Sequence, residues 1–249
     1  MTVAILLLAT GACEQDFEDL NTNPNQPTET SPGYLFNYIT QHAAGDFALS
    51  DINHRFLLKW TMQSAVSWGN STWPPYEAMT ASNVTGMWNY FYTTVMLNNN
   101  KLIDMTADDP DLVNQHAIAR IMKVYTMHRI TDLWGDVPYF EAALGYEEDR
   151  VLKPAYDKQE LIYEDMLREL EEAAAEINTE KLYYEYDLIY GAGPDEELQT
   201  AVKLERWRKF ANSLRLRLAI RSGNQEAVTE IMTENNLISS NAEAATFRY

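Results

Sequence analysis

Apolar side chains recur every three to four residues along seven separate stretches of the chain, the spacing that gathers them on one face of an α-helix. The stretches cover about 31–42, 50–66, 86–105, 110–134, 157–178, 203–222 and 224–234. No run of more than a few residues alternates in the way that a half-buried strand does. The pattern therefore predicts an all-α fold of paired helices joined by long irregular loops.

One stretch, His116 to Tyr139, is the centre of this pattern. Its helical part carries apolar residues on nearly every side, which is typical of a helix buried among other helices. Gly135 suits the left-handed position that follows a last helical turn, and Pro138 cannot continue a helix. We therefore expect a core helix that ends in an exit turn with the sequence WGDVPY.

The N-terminus carries a short apolar run, Val3 to Ala9, followed by Gly11, Ala12 and Cys13. The run is too short to cross a membrane, but an apolar run before small residues and a cysteine is typical of a lipoprotein signal peptide. We predict that residues 1–12 are removed and that Cys13 is lipidated. The alternative is an apolar N-terminal strand beside an idle thiol.

Residues 13–30 are acidic, rich in Asn, Thr and Pro, and without apolar periodicity. Such a composition predicts a tether and not a packed element. Ser31 and Pro32 then form a helix start, because serine caps a helix and proline fits its first position. A helical domain is therefore expected over residues 31–249.

Three blocks of sequence resemble the SusD/RagB family of surface glycan-binding lipoproteins of Bacteroidetes-type bacteria. They are DLWGDVPY at 132–139, WRKFANSLRLRLAIR at 207–221 and CEQDFEDLNTNPNQPTETSP at 13–32. Family members are about twice this length, so the chain resembles an N-terminal half, truncated at its C-terminus. The resemblance implies a tetratricopeptide-like helical scaffold that is lipid-anchored in the outer membrane, faces the cell surface and captures a glycan or another nutrient. It also implies a partner, a SusC-like TonB-dependent transporter that receives the ligand.

The net charge of −18, from 19 basic and 37 acidic residues, argues against binding to nucleic acid, because little would neutralise its phosphates. The negative charge is concentrated in 141–205, whereas 206–221 is basic. Within the basic segment, Asn212, Arg215 and Arg217 offer a site for an anionic sugar. The favoured interpretation is instead that these arginines pair with the acidic segment before them.

The residues that follow the second predicted helix combine aromatic rings with amides in a stretch broken by glycine and two prolines. Rings stack on the apolar C–H faces of sugars, and amides bind their hydroxyl groups. The candidate ligand-binding residues are therefore Trp68, Asn70, Trp73, Tyr76 and Asn83. A second aromatic patch comprises Tyr183, Tyr184, Tyr186 and Tyr190. In either patch the rings could be packed into the core instead, and this is the favoured interpretation for both, with the margin larger for the second.

Catalytic and metal-binding patterns are weak. His128 and Asp132 have the i, i+4 spacing of metal ligands, but no further ligand accompanies them, so a core histidine hydrogen-bonded to Asp132 is favoured. Asp136 could serve as an acid in glycoside hydrolysis, but an aspartate beside a helix end more often binds the backbone of its own turn. We therefore predict a binding protein that is not an enzyme and needs no metal or cofactor. A helical glycoside hydrolase and a protein-interaction scaffold that binds no sugar are the alternatives.

Overall fold

The computed structural model describes residues 30–45, 58–63, 81–146 and 151–248. Its helices all lie in the compact unit Pro32–Tyr249. They are α1 (Pro32–Gly45), a single turn (Leu58–Trp60), α2 (Ala81–Tyr90), a π-helical segment (Phe91–Met96), α3 (Leu97–Ala107), α4 (Val113–Trp134), α5 (Gln159–Glu176), α6 (Thr200–Ser222) and α7 (Gln225–Glu234), with 3₁₀ turns at Gly193–Asp195 and Asn241–Glu243.

The all-α prediction is confirmed. In the described ranges there is no strand, and extended backbone pairs only at one antiparallel bridge between Val137 and Asp157. Six of the seven predicted helices are present with ends shifted by a few residues, whereas the second, 50–66, lies mostly outside the described residues. None of the described helices is both long and apolar enough to cross a membrane. Cys13, the signal peptide 1–12 and the tether, apart from Thr30, also lie outside the described residues.

Helix α4 is the core helix that its sequence predicts. Most of its residues are buried, and it packs against α3 on one flank and α5 on another. Helix α6 packs on α5, and α7 packs on α6, so neighbouring helices in the chain are neighbours in space. Gly135 ends α4 with φ 77° and ψ −121°. This is a positive-φ conformation but not the left-handed helical one that we expected, and it is open almost only to glycine.

Helices α2 and α3 form one continuous rod that is interrupted by the π-helical segment. Wider π turns inside a helix are often found at functional sites. The segment places the hydroxyl of Tyr92 where it donates a hydrogen bond of 2.7 Å to the carbonyl of Pro138. The rod is thereby fixed to the exit turn of α4.

Ion pairs join the basic segment to the acidic one, as predicted. Arg206 pairs with Asp195 at 2.8 Å, and Arg215 pairs with Glu171 at 2.6 Å. The guanidinium of Arg215 is 4% exposed and also lies 3.4 Å from carboxylates of α7. Arg217 is exposed and has no ion pair within the described part of the chain. The arrangement does not present an anionic-sugar site at Arg215, because three carboxylates surround its charge.

The second aromatic patch is divided between core and surface. Tyr184 and Tyr190 are buried, and Tyr184 stacks on Phe36 with ring centroids 3.9 Å apart. Tyr183 donates to the buried carboxylate of Asp187. Only Tyr186, which is 67% exposed, faces solvent. The favoured interpretation, rings packed into the core, is thus confirmed for most of this patch.

Candidate functional site

The candidate ligand-binding residues of the sequence fall largely outside the described residues. This holds for Trp68, Asn70, Trp73 and Tyr76, and Asn83 is described only through its backbone, in the first turn of α2. The segment that carries them runs directly into α2. Because α2 is the described helix that follows this segment, we expect a binding site around the side chains of α2.

Trp88 of α2 lies in an aromatic cluster that lines an open cleft of about 270 Å³. Its indole meets that of Trp134 edge to face, with centroids 5.3 Å apart. On another side it lies nearly parallel to the ring of Tyr156, with centroids 6.2 Å apart and planes 17° from parallel. Tyr156 is 66% exposed, whereas the two tryptophans are half-buried. We refer to Trp88, Trp134, Tyr156 and Asp136 as the aromatic cleft.

Asp136 supplies a carboxylate at the edge of the aromatic cleft. It accepts hydrogen bonds of 2.8 Å from the ammonium of Lys158 and 3.0 Å from the backbone N–H of Gln159. The hydrogen bond from Lys158 above all, together with the one from Gln159, holds the pKa of the Asp136 carboxyl below its usual value. We expected Asp136 to bind the backbone of its own turn. It binds the N-terminus of α5 instead, where a helix leaves N–H groups unsatisfied and favours negative charge.

The exit turn of α4 brings Tyr156 to Trp88. The backbones of Val137 and Asp157 exchange hydrogen bonds of 3.2 and 3.0 Å, and the Asp157 carboxylate accepts from the backbone N–H groups of Tyr139 and Phe140. These contacts fix the segment before α5 against the turn after α4. We call this set of contacts the exit clip. The WGDVPY motif thus has a structural role and positions the cleft.

Sequence reasoning singled out Asp136 but missed the three aromatic residues of the cleft. Trp88 and Trp134 lie within the helices predicted over 86–105 and 110–134, where an aromatic residue indicates a core face, and Tyr156 belongs to no predicted helix. The sequence contains one usable signal, since Trp88 lies five residues after the segment 68–83, which is already rich in aromatic residues. The approach of Tyr156 to Trp88, across 68 positions of sequence, depends on the exit clip and leaves no local pattern.

His128 is a core histidine, as expected, but its partner is different. Its Nδ1 lies 3.2 Å from the carbonyl oxygen of Val124, one turn earlier, and not against Asp132. Burial lowers the pKa of His128 to about 4. Asp132 is bound instead by the hydroxyl of Tyr163 and the guanidinium of Arg221. In the part of the chain that the structure describes, no group of three or more potential ligands could hold a metal ion.

Comparisons with known proteins agree with this architecture. A structure named Bacteroidetes AC2a SusD-like superposes with a TM-score of 0.72 at 28% identity, covering 88% of this chain and 39% of that one. The structure of a chitin-binding protein superposes with a TM-score of 0.72 at 26% identity, and the match covers 86% of this chain and 45% of that one. A SusD homologue from Parabacteroides distasonis superposes with a TM-score of 0.67 at 21% identity, and the match covers 87% of this chain and 41% of that one. At this identity the likeness supports the fold alone.

The chain therefore spans less than half the length of these solved structures. No curated protein matches its sequence. A family model does match, over residues 24–249, and is described as "Starch-binding associating with outer membrane". Since this match covers most of the chain, the protein belongs to the SusD-like family.

Proposed function

We propose that the protein binds a glycan in the aromatic cleft and in the aromatic segment that precedes α2, without cleaving it. The observation that carries this proposal is the exposed ring of Tyr156, nearly parallel to Trp88 and beside the ionised Asp136. The apolar face of a sugar ring can stack on the phenol, while its hydroxyl groups donate to the carboxylate. The candidate residues Trp68, Asn70, Trp73, Tyr76 and Asn83 would contribute further rings and amides.

The volume of the cleft supports a binding site that is formed jointly by the cleft and by other parts of the chain. Ligand pockets usually enclose about 300–1,000 Å³. The aromatic cleft, at about 270 Å³, falls just below that range and would hold only part of an oligosaccharide. The rest of the ligand must contact other surfaces, and the segment 68–83 is the nearest candidate along the chain.

Relatives suggest which glycans to test. The family is described as starch-binding, and one similar structure is a chitin-binding protein. Both ligands are polymers of neutral glucose-type rings with apolar faces, which suits stacking on an aromatic ring. Starch-type and chitin-type oligosaccharides are therefore the first candidates.

The proposal includes no bond cleavage. Glycoside hydrolysis generally requires two carboxyl groups across the scissile bond. Within the described lining of the aromatic cleft, Asp136 is the only carboxylate, and it is bound by a lysine and a helix N-terminus. SusD-like family members are generally non-catalytic binding proteins.

The wider setting is proposed on the same family grounds. SusD-like proteins are typically associated with the outer membrane. We infer that Cys13 carries the lipid that anchors this protein there, facing the cell surface, and that a SusC-like TonB-dependent transporter receives the glycan. Replacement of Cys13 by Ser should move the expressed protein from the membrane fraction to the soluble fraction. Retention in the membrane would contradict the anchor.

Affinity electrophoresis tests the central proposal. The purified protein is run in native gels that contain soluble starch, glycol chitin or other soluble polysaccharides, and the same mixtures are assayed for new reducing ends. We expect retardation by one glycan class without cleavage, and loss of that retardation in Tyr156→Ala.

Tyr186→Ala is the matched control, because Tyr186 is an equally exposed tyrosine outside the cleft. Retardation accompanied by new reducing ends would favour the glycoside hydrolase. Absence of retardation, with transporter binding that survives removal of the aromatic residues, would favour the protein-interaction scaffold. Loss of retardation in Tyr186→Ala alone would place the site elsewhere.

A further inference from the structure

A second and larger cavity lies where α4 and α6 end and α5 and α7 begin. It encloses about 710 Å³, a volume suited to several sugar rings. Its described lining is mostly polar, and Leu167 is the one aliphatic side chain in it. We call it the polar groove; the polar lining residues used below are Asp132, Gln159, Glu160, Tyr163, Glu164, Arg221 and Asn224.

One wall of the polar groove is a closed set of three side chains. Arg221 lies 3.1 Å from Asp132 through Nη2 and donates from Nε to the hydroxyl of Tyr163 at 3.3 Å. That hydroxyl donates to the other carboxylate oxygen of Asp132. The charges of Asp132 and Arg221 therefore compensate one another. The ring of Tyr163 is buried, so this wall offers polar atoms and no stacking surface.

Other lining groups keep both donors and acceptors free, as judged within the described residues. Asn224 uses Oδ1 to cap α7, accepting from Ala227, which leaves its Nδ2 donors. Gln159 uses Nε2 on Thr131, which leaves its Oε1 acceptor. Glu164 is exposed and has no ion pair. A wall that both donates and accepts suits a ligand whose groups do the same.

These groups exclude several ligand classes. An anionic ligand would meet Glu160 and Glu164, while Arg221, the one cation in the described lining, is already paired. An apolar ligand would desolvate many polar groups without replacing their hydrogen bonds, which is costly. A neutral polyhydroxyl ligand has donors for the carboxylates and acceptors for the amide and guanidinium. The chemistry of the groove therefore points to a sugar chain that is bound through the hydroxyl groups at the edges of its rings and not by stacking on their faces.

The polar groove and the aromatic cleft meet at one pair of residues. Asp136 lines the cleft, and Gln159 lines the groove. The backbone N–H of Gln159 donates to Asp136 Oδ1 over 3.0 Å. The linings of the two cavities are therefore in direct contact at this hydrogen bond. The groove is thus the neighbouring cavity for a ligand that is too long for the cleft.

We propose that the polar groove is an extension subsite, which binds by hydrogen bonds alone the further sugar units of a glycan whose first unit stacks in the aromatic cleft. This inference rests on the proposed glycan-binding function. It gives the protein two recognition modes along a single ligand. Stacking in the cleft would operate on short and long oligosaccharides alike, whereas the groove would act only on long ones.

Calorimetric titration with malto-oligosaccharides and chito-oligosaccharides of two and six units tests the proposal. The six-unit compound of the binding series should bind at least about tenfold more tightly than the two-unit compound. In Arg221→Ala and in Glu164→Ala, binding of the six-unit compound should weaken by about three- to tenfold, the effect of one lost hydrogen bond. Binding of the two-unit compound should not change.

Arg217→Ala is the matched control, because Arg217 is an exposed arginine one turn earlier on α6 that does not line the groove. Glu164 is exposed, so its variant remains informative if Arg221→Ala melts at lower temperature. Equal affinity for both lengths, or six-unit binding unchanged in both groove variants, would overturn the extension subsite. The glycan-binding function would still stand if Tyr156→Ala weakened both lengths. Absence of binding by either series at either length would overturn both proposals.

Discussion

The carboxylate of Asp157 accepts a hydrogen bond of 2.9 Å from the backbone nitrogen of Tyr139. The same oxygen accepts from Phe140 at 3.0 Å, and the backbone of Asp157 pairs with Val137. One side chain thus satisfies two N–H groups of the irregular chain that follows α4. The aromatic cleft depends on this arrangement, because the neighbouring residue, Tyr156, supplies its exposed ring.

Asp157→Ala should therefore destabilise the protein and disturb the cleft. Two backbone donors lose their acceptor, which predicts a loss of about 1–3 kcal/mol in the free energy of unfolding. Asp157→Asn keeps one acceptor oxygen and should lose less. Urea denaturation measures both losses, with Asp108→Ala as control, because Asp108 is exposed and has no side-chain hydrogen bond in the described part of the chain. Equal stability of the Asp157 and Asp108 variants would contradict the role of the exit clip.

Gly135→Ala should also destabilise the turn. With φ 77° and ψ −121°, Gly135 occupies a backbone region that side chains with a Cβ rarely enter, at a typical cost of about 1–3 kcal/mol. No neighbouring atom lies within 4 Å of an added Cβ, so strain and not collision would be responsible. Gly86→Ala, also without a close neighbour but inside α2, should be neutral or stabilising by about 0.5–1 kcal/mol. The melting temperature should fall for Gly135→Ala and stay the same or rise for Gly86→Ala, and an equal fall in both variants would contradict the argument.

The fold was more predictable from the sequence than the site was. Helical periodicity and the stop signals Gly135 and Pro138 are local, and the helices they predicted are present. The π-helical segment was not predicted, because one wider turn barely alters the spacing of apolar residues. The cleft requires that Tyr156 meet Trp88, and no local pattern encodes a contact that depends on the exit clip.

The hydrogen-bond partners of buried polar residues were equally hard to predict from the sequence. His128 and Asp132 have a spacing that permits a hydrogen bond, yet Asp132 binds Tyr163 and Arg221 instead. Helical spacing shows which residues share a face, but it does not show which neighbouring helix offers a stronger donor. A guanidinium from α6 and a phenol from α5 approach Asp132 only after the helices have packed.

The stability of the protein should fall in mild acid because of His128. Burial lowers its folded-state pKa from 6.5 to about 4, so protonation favours the unfolded chain. Its contribution to stability is complete above about pH 6.5, declines as the pH falls, and is lost below about pH 4. The shift corresponds to about 3 kcal/mol.

His128→Gln, which can still donate to the carbonyl of Val124, should flatten this part of the curve. Urea denaturation between pH 4 and pH 7 measures the slope for both proteins. The wild-type protein should lose more stability across that window than the variant. Parallel curves would show that His128 does not remain neutral in the folded protein.

Arg215 and Arg217 lie two residues apart on α6 and should respond differently to truncation. Arg215 is 4% exposed and lies against carboxylates of α5 and α7, whereas Arg217 faces solvent without an ion pair in the described residues. Removing one partner from a buried ion pair usually costs about 3–5 kcal/mol. The carboxylates around Arg215 are about half exposed, so water can replace part of the lost interaction.

We therefore expect Arg215→Ala to lose about 1–3 kcal/mol of unfolding free energy, and Arg217→Ala to change it by less than about 0.5 kcal/mol. Arg215→Met, which retains the packing of the aliphatic stem, should lose less than Arg215→Ala. Equilibrium denaturation distinguishes the three variants. A similar loss of unfolding free energy in both alanine variants would mean that the ion pairs of Arg215 do not stabilise the protein.

Trp73 provides the sharpest test of the segment before α2. If its indole stacks on a sugar, Trp73→Ala should weaken binding of the retarding glycan by about fivefold, equivalent to about 1 kcal/mol, and leave the melting temperature unchanged. If the indole is packed into the core, truncation should instead cost about 3–5 kcal/mol of stability. Calorimetric titration and thermal melting of the same sample separate the two roles, and Tyr186→Ala controls for loss of an exposed ring outside the cleft. Lost stability with retained affinity would remove Trp73 from the proposed site, and the aromatic cleft would then have to account for the stacking by itself.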